Sequence, residues 1–484
     1  MNRLSSLEPN KIWEYFYEIC QIPRPSKKEN IILDYLIQFA KKNNISYSQD
    51  SAGNLLMRKP ASPGKENLKK VILQSHLDMV GEKEPKAEHD FNKDPIVPEI
   101  VTGWVQASGT TLGADDGIGI AAQMVILESK EIEHGPLECL FTVDEESGMT
   151  GAKNLKPGFL SGKILINLDS EDEGELFIGC AGGMDTIGKF KVNPKPVKPK
   201  SKAYNILISG LKGGHSGDEI HKSPGNAIKI MNRFLWNASR EFKISIHHLN
   251  GGNMRNAIPR EVESYVVVPQ KHAINFESFF QIYAATVTRE IGSIEKDLSF
   301  SLKEADLPLT VINKKTQEKL LNAIYACPHG VITWSRELEG LVETSTNLAS
   351  IKMNNNKEVV VTTSQRSSLE SSKNNISNAV RSVFNMVNAK VEHINGYPGW
   401  NPNMKSEILQ ITKKSYKELF GTSAKVKAIH AGLECGLFLN KYADLDIISF
   451  GPTIRGAHSP DERIDISSTN KFWDLLIEVL NNIP

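Results

Sequence analysis

The sequence predicts an α/β protein: a mixed-sheet domain built from both ends of the chain, with an α+β domain inserted between them. Three observations carry this. Short apolar runs bounded by turn residues alternate with helical patterns over residues 1–186. From 187 to 397, strands with period-two alternation mix with long helical patterns. From 398 to 484 the first texture returns.

The elements follow in order. Residues 12–19 have helical apolar spacing and stop before Pro23-Arg24-Pro25-Ser26. Ser26 reads as an N-cap for a helix carrying Ile31, Ile32, Tyr35, Leu36 and Phe39 on one face. Strands are expected at 71–73, 137–143 and 164–168, with a buried helix at 118–127. Residues 189–204, rich in Lys and Pro, suit a strand edge or a connection. The insert offers strands at 204–208, 262–268 and 359–363 and helices at 226–236 and 374–388. The last stretch offers a helix at 406–419, a strand at 445–450 and a helix at 470–480.

Composition narrows the function. Lys plus Arg and Asp plus Glu each number 57, a formal net charge of zero, which gives nucleic acid or an anionic membrane no broad electrostatic hold. The five cysteines, scattered and without a CxxC pair, argue against a cysteine zinc site or a redox pair and suit a reducing cytoplasm. The N-terminal residues do not read as a secretory leader, and no apolar run reaches the roughly 18 residues of a membrane span. No GxGxxG or phosphate-binding loop is present. A cytoplasmic protein without nucleic-acid or membrane partners is expected.

Five motifs carry chemistry. In VILQSHLDMV, His76 and Asp78 point the same way from the end of a strand. A neutral imidazole binds metal well, and a nearby carboxylate fixes its tautomer. In TLGADDGIGIAAQM, Asp115 and Asp116 sit in a glycine-flanked turn before a helix; one acid can cap that helix and leave the other for a metal. In LFTVDEESGMTGA, Asp144, Glu145 and Glu146 crowd a strand end, so that one carboxylate can bind metal while its neighbour handles a proton. In ILINLDSEDEGELFIG, Asp169 abuts the apolar run, whereas Glu171, Asp172, Glu173 and Glu175 read as a solvated face. In IISFGPTIRGAHSPDERID, His458 lies in a Gly/Pro-rich loop after a strand. Taken singly, each fits a helix cap or a solvated loop. Together they form a sulfur-free N/O donor set suited to zinc, manganese or cobalt. Two divalent cations would bring +4 against −3 from Asp115, Glu146 and Asp169, leaving +1 for one hydroxide, the composition of a two-metal hydrolytic site.

In that order, HLD, GADDG, DEESG, NLDSEDEGE and GAHSPDE resemble the M20 family of metallopeptidases, and within it the aminoacyl-histidine (Xaa-His) dipeptidase, or cytosolic dipeptidase, branch. The likeness runs along essentially the whole chain and takes in GGHSGDEIH, GGNMRNAIPRE, VETSTNLAS and AIHAGLECGLF. It implies a zinc-exopeptidase-like catalytic domain with an inserted lid, holding two divalent ions, zinc in the first place and manganese or cobalt as alternatives. By that resemblance His76 and Asp169 bind one ion, Glu146 and His458 the other, and Asp115 bridges, while Asp116 takes no metal. Asp78 orients His76, and Glu145 is the general base for a metal-bridging hydroxide. From the lid, His215 and Asn256 contact the tetrahedral intermediate or the substrate, Arg366 clamps the substrate's C-terminal carboxylate, and Gly432 offers close backbone; the roles of His430 and Glu434 stay open. The implied substrate is a dipeptide, Xaa-His such as β-Ala-His among them, and the protein acts as a monomer or a homodimer. The alternatives are a deacylase of N-acyl amino acids with the same metal chemistry, or a non-catalytic metal- or peptide-binding protein.

Overall fold

The computed structural model describes residues 4–354 and 357–484, which fall into two compact units. The first comprises residues up to 179 with 402–428 and 433–484; the second comprises 180–401 and 429–432. The divisions thus lie a few residues from 186/187 and 397/398, and the short piece 429–432 belongs to the second unit. There the Ala181 amide donates to the Ile429 and Ala431 carbonyls, at 3.0 and 2.9 Å.

The first unit is built on an eight-stranded mixed sheet. At its centre Val71–His76 runs parallel to Leu137–Thr142 on one side and Ile164–Asn167 on the other, and Asp446–Ser449 lies parallel to Ile164–Asn167. Every residue of Val71–His76, Leu137–Thr142 and Ile164–Asn167 is buried, because both sheet faces are covered. The helix Ala114–Glu128 has no polar side beyond its first turn and is buried on every side as far as Leu127. It packs on Asn10–Cys20, whose Trp13, Phe16 and Ile19 are buried. A second sheet pairs Pro98–Val101, Trp104–Ala107, Arg463–Asp465 and Ile454–Arg455. None of its four strands was anticipated, since each is short and finds its partner far along the chain.

Two local expectations fail in this unit. The helix after Ser26 begins only at Asn30, behind Glu29, and Ser26 does not cap it. Instead the Ser26 hydroxyl donates to the Asp78 carboxylate at 2.7 Å. On that helix Ile32, Leu33, Leu36 and Phe39 are buried but Ile31 is exposed, because the buried stripe turns one residue further round.

The second unit is an antiparallel nine-stranded sheet with the helices Ala227–Glu241, Ala273–Ile291, Lys314–Ala326 and Glu370–Met386. Its core gathers the rings of Phe234, Phe276, Phe280 and Tyr283. Asn226 caps its helix by accepting from the Lys229 amide. The Lys/Pro-rich segment supplies the end of Gly182–Lys191 and the edge strand Pro194–Pro196. Prolines are tolerated there because edge positions need not donate to a ladder. Among the described residues no helix is long and apolar enough to cross a membrane.

Candidate active site

His76 ends the central strand Val71–His76 and is 1% exposed. Its Nδ1–H donates to the Asp78 carbonyl at 3.1 Å, so Nε2 carries the lone pair. The Asp78 carboxylate lies farther from Nδ1, at 3.6 Å, and is committed elsewhere. It accepts from the Glu145 amide (2.9 Å), the Glu146 amide (3.2 Å) and the Ser26 hydroxyl. Burial pushes the Asp78 carboxyl up, but His76 and these donors hold it down at about 2. Asp78 therefore orients the imidazole through its backbone and the acidic turn through its side chain.

That turn is the single-turn helix Glu145–Gly148 after Leu137–Thr142. Asp144 enters it in a left-handed conformation and accepts from the Ser147 and Thr150 hydroxyls, so it shapes the turn and leaves Glu145 and Glu146 for other work.

The GADDG turn is fixed by two buried ionic groups that sequence reading gave no role. The Glu462 carboxylate accepts from the amides of Leu112, Gly113, Ala114 and Asp115, at 2.8, 2.9, 2.7 and 3.3 Å. The Arg24 guanidinium donates to the carbonyls of Leu77 (2.8 Å), Asp78 (2.7 Å) and Gly113, tying the His76 strand end to this turn. The two glycines make room for that arginine: a Cβ at Gly113 or Gly117 would fall 2.8 or 2.7 Å from Arg24 Nη2. Gly113 also has φ +72°, a region that favours glycine. Asp116 turns inward, where its Oδ1 accepts from the Gly119 amide at 3.1 Å and caps the continuing helix.

Asp115 faces the other way. Its Oδ1 is 2.9 Å from His76 Nε2, and its Oδ2 is 3.2 Å from His458 Nε2. Asp169 Oδ1 lies 3.3 Å from the same His76 nitrogen, and Glu146 Oε2 lies 2.9 Å from the same His458 nitrogen. His76–Asp115–Asp169 and Asp115–Glu146–His458 thus form two triads sharing one carboxylate, with candidate ligand atoms within 4.8 Å of one another. His76, Glu145 and Glu146 make a third close grouping. Ligands about 2.0–2.1 Å from a tetrahedral zinc lie about 3.3 Å apart, so the spacings fit a cation in each triad.

The electrostatics point the same way. The His76 Nε2 lone pair looks at two carboxylate oxygens, and Glu146 Oε1 is buried with no hydrogen-bond partner among the described residues. Burial pushes the imidazole of His76 down, yet Asp169 and Asp115 lift it well above its usual value. Hydrogen bonds to Asp115 and Glu146 raise His458 to about 11. Burial, added to the carboxylates of Glu434, Glu146 and Asp115, raises Glu145 well above the ordinary range, and burial raises Asp169 likewise. The acids crowded around these two imidazoles hold protons on them unless other positive charge is placed between the groups. The donor set therefore fits a pair of divalent cations, all N and O, with one bridging carboxylate.

Two further acids belong to this neighbourhood. Glu434, 1% exposed, accepts from Gln74 Nε2 (2.8 Å) and the Thr142 hydroxyl (2.7 Å), and burial pushes it to about 7. Glu171 is half-buried and raised to about 8 by burial and by Asp115. The acids after Asp169 are not the solvated face that their charge suggested: Asp172 pairs with Arg455, Glu173 with Tyr416 and Glu175 with Lys427.

The remaining expected residues lie in the second unit. Arg366, 7% exposed on Glu358–Ser367, donates to the Tyr397 hydroxyl at 3.0 Å and lies 3.5 Å from His215 Nε2. His215 Nδ1 lies 2.9 Å from the Asp218 carboxylate. The Asn256 carbonyl accepts from the Ser216 amide at 2.7 Å, which places it beside the His215 turn. Gly432 packs against the Tyr397 ring, 2.8 Å from where its Cβ would stand. His430 shares a hydrogen bond with the Ser345 hydroxyl at 2.7 Å, and burial with the nearby Arg366 charge pushes it down to about 3, so it is neutral.

This chain belongs to peptidase family M20/M25/M40, whose family profile matches residues 72–482. It is 40% identical over 484 residues, the full length of both chains, to the cytosol non-specific dipeptidase of Escherichia coli (strain K12). Its fold superposes on the crystal structure of aminoacylhistidine dipeptidase from Vibrio alginolyticus with a TM-score of 0.92 and 42% identity, covering 99% of this chain and 98% of that one. A tripeptidase from Staphylococcus aureus shares the fold at a TM-score of 0.57 and 18% identity, over 99% of each chain.

Proposed function

We propose that the protein is a metal-dependent dipeptidase that hydrolyses the peptide bond of free dipeptides, Xaa-His among them. The observation that carries this reading is Asp115, whose two carboxylate oxygens face His76 and His458 separately and make one residue common to two triads. His76 and Asp169 would hold one divalent cation, Glu146 and His458 the other, and Asp115 would serve both; zinc suits the donor set first, manganese and cobalt next. Cations there would supply Lewis acidity for the scissile carbonyl and make a water acidic enough to attack near neutral pH. Glu145, a half-buried acid whose carboxyl is raised well above the ordinary range, accepts the attacking water's proton on its carboxylate and returns it to the departing amide nitrogen. Asp78 fixes the position of Glu145 by accepting from its amide. In the second unit, Arg366 is the guanidinium suited to the substrate's C-terminal carboxylate, with His215, Asn256 and Gly432 as neighbouring groups that contact substrate. The relatives named as dipeptidases support the substrate class, and the name of the Escherichia coli relative supports a cytoplasmic location.

The test is chelation followed by add-back, with product formation followed on free dipeptides and on N-acyl amino acids. Cleavage is expected to vanish with metal, to return with zinc, manganese or cobalt, and to favour dipeptides. Hydrolysis that survives complete metal removal rejects the reading, and preference for N-acyl substrates replaces it with a deacylase.

A further inference from the structure

A cavity of about 570 Å³ opens in the first unit beside the metal-ligand cluster. Its wall includes Ser26, Met79, Val80, Glu82, Phe91 and Glu146. Glu146 joins it to His458 and Asp115, and Ser26 joins it to Asp78, so it adjoins the place where a scissile carbonyl would sit.

Two properties define what it can take. The first is a preformed apolar surface. Met79 is buried, and Phe91 packs against the Gly81 backbone, where an added Cβ would fall 2.9 Å from the ring. His89 meets that ring edge-on, with centroids 4.5 Å apart. The second is charge. Among the described residues no lysine or arginine lines the cavity, whereas Glu82, Asp90 and Glu146 do. Asp90 is matched by Lys93 at 3.3 Å, and the Lys28 ammonium rests on the Asn92 side chain at 2.6 Å, on the exposed side. Glu82 is exposed and its carboxylate has no hydrogen-bond or ion-pair partner among the described residues.

A dipeptide has one anionic and one cationic end. A cavity without a cation, rimmed by an unpaired carboxylate, disfavours the C-terminal carboxylate and favours the ammonium-bearing residue. We propose that this cavity receives the side chain of the substrate's amino-terminal residue, taking apolar and basic side chains and disfavouring acidic ones. The assignment rests on the dipeptidase reading above and adds to it the subsite and its chemistry.

Two substrate series test it: Xaa-Ala and Ala-Xaa, with Xaa as Gly, Leu, Phe, Lys and Glu, on the metal-loaded wild type, Val80→Trp and Glu82→Lys. Val80→Trp puts an indole into the cavity and should lower kcat/KM for Leu-Ala and Phe-Ala about tenfold or more relative to Gly-Ala, leaving relative rates in the Ala-Xaa series unchanged. Glu82→Lys, an exposed change that spares the packing, should weaken Lys-Ala and improve Glu-Ala by about 2- to 5-fold each, the size of one solvent-exposed charge contact. An active wild type whose Xaa-Ala preferences do not move in Glu82→Lys, or variants that alter only the Ala-Xaa series, overturn the subsite assignment alone. A wild type that cleaves neither series overturns the dipeptidase reading, and the assignment with it.

Discussion

Arg24→Lys isolates the mechanical link between the two turns that carry His76 and Asp115. The guanidinium serves three carbonyls at once, Leu77 and Asp78 on the strand-end side and Gly113 on the other. A lysine keeps the charge but has one nitrogen on a flexible stem, so it cannot hold both sides. At least one charge-assisted hydrogen bond is lost, worth about 1.5–3 kcal/mol, and a buried carbonyl is left without a donor. Taking about 2 kcal/mol as the smallest effect, the loss falls either on the stability of the metal-free protein or on cation binding. If all of it falls on binding, affinity drops about 30-fold. Urea unfolding of the metal-free protein and calorimetric titration with zinc measure the two shares. A variant with wild-type stability and wild-type affinity refutes the idea that Arg24 sets the spacing of the ligands.

Other outcomes follow from the same geometry. Glu145→Ala should retain both metals by elemental analysis while kcat falls by about 10²- to 10⁴-fold, the usual contribution of a positioned proton carrier; metal loss instead would exchange the roles of Glu145 and Glu146. Glu434 is raised by burial to about 7 from an ordinary value near 4.5, so its charging opposes folding: its contribution is fully present below about pH 4.5 and is lost as pH rises through about 7. Glu434→Gln should therefore gain stability relative to wild type on going from pH 5 to pH 8 in the metal-free protein, by about 3 kcal/mol at most. Denaturant midpoints at the two pH values check the sign, and a variant that loses ground at pH 8 contradicts it.

The metal-ligand candidates were legible because of where sheets end. His76 and Asp169 close or closely follow strands that open with apolar runs and are buried throughout, and the acidic turn follows a third buried strand, so the change to acids and imidazole after those runs marked each of them. Spacing alone left Asp115 and Asp116 interchangeable and the family resemblance told them apart; in the structure one faces the imidazoles and the other turns back into its helix. Arg24, Glu462 and Glu434 were not readable as supports. Arg24 and Glu462 bond backbone groups, Glu434 bonds Gln74 and Thr142, and a partner tens or hundreds of residues away leaves no periodic trace. The same holds for Ser26, whose position before a helix imitated a cap while its hydroxyl served Asp78. The acids 171–175 looked solvated because a run of charge shows nothing of the Arg, Tyr and Lys partners that fold up against it.

Asp446–Ser449, His458 and Glu462 all reach the first unit only after the whole second unit has been traversed. A polypeptide that has passed Asp169 but not yet reached His458 owns one triad and two of the three members of the next, and its GADDG turn still lacks the carboxylate that gathers four amides.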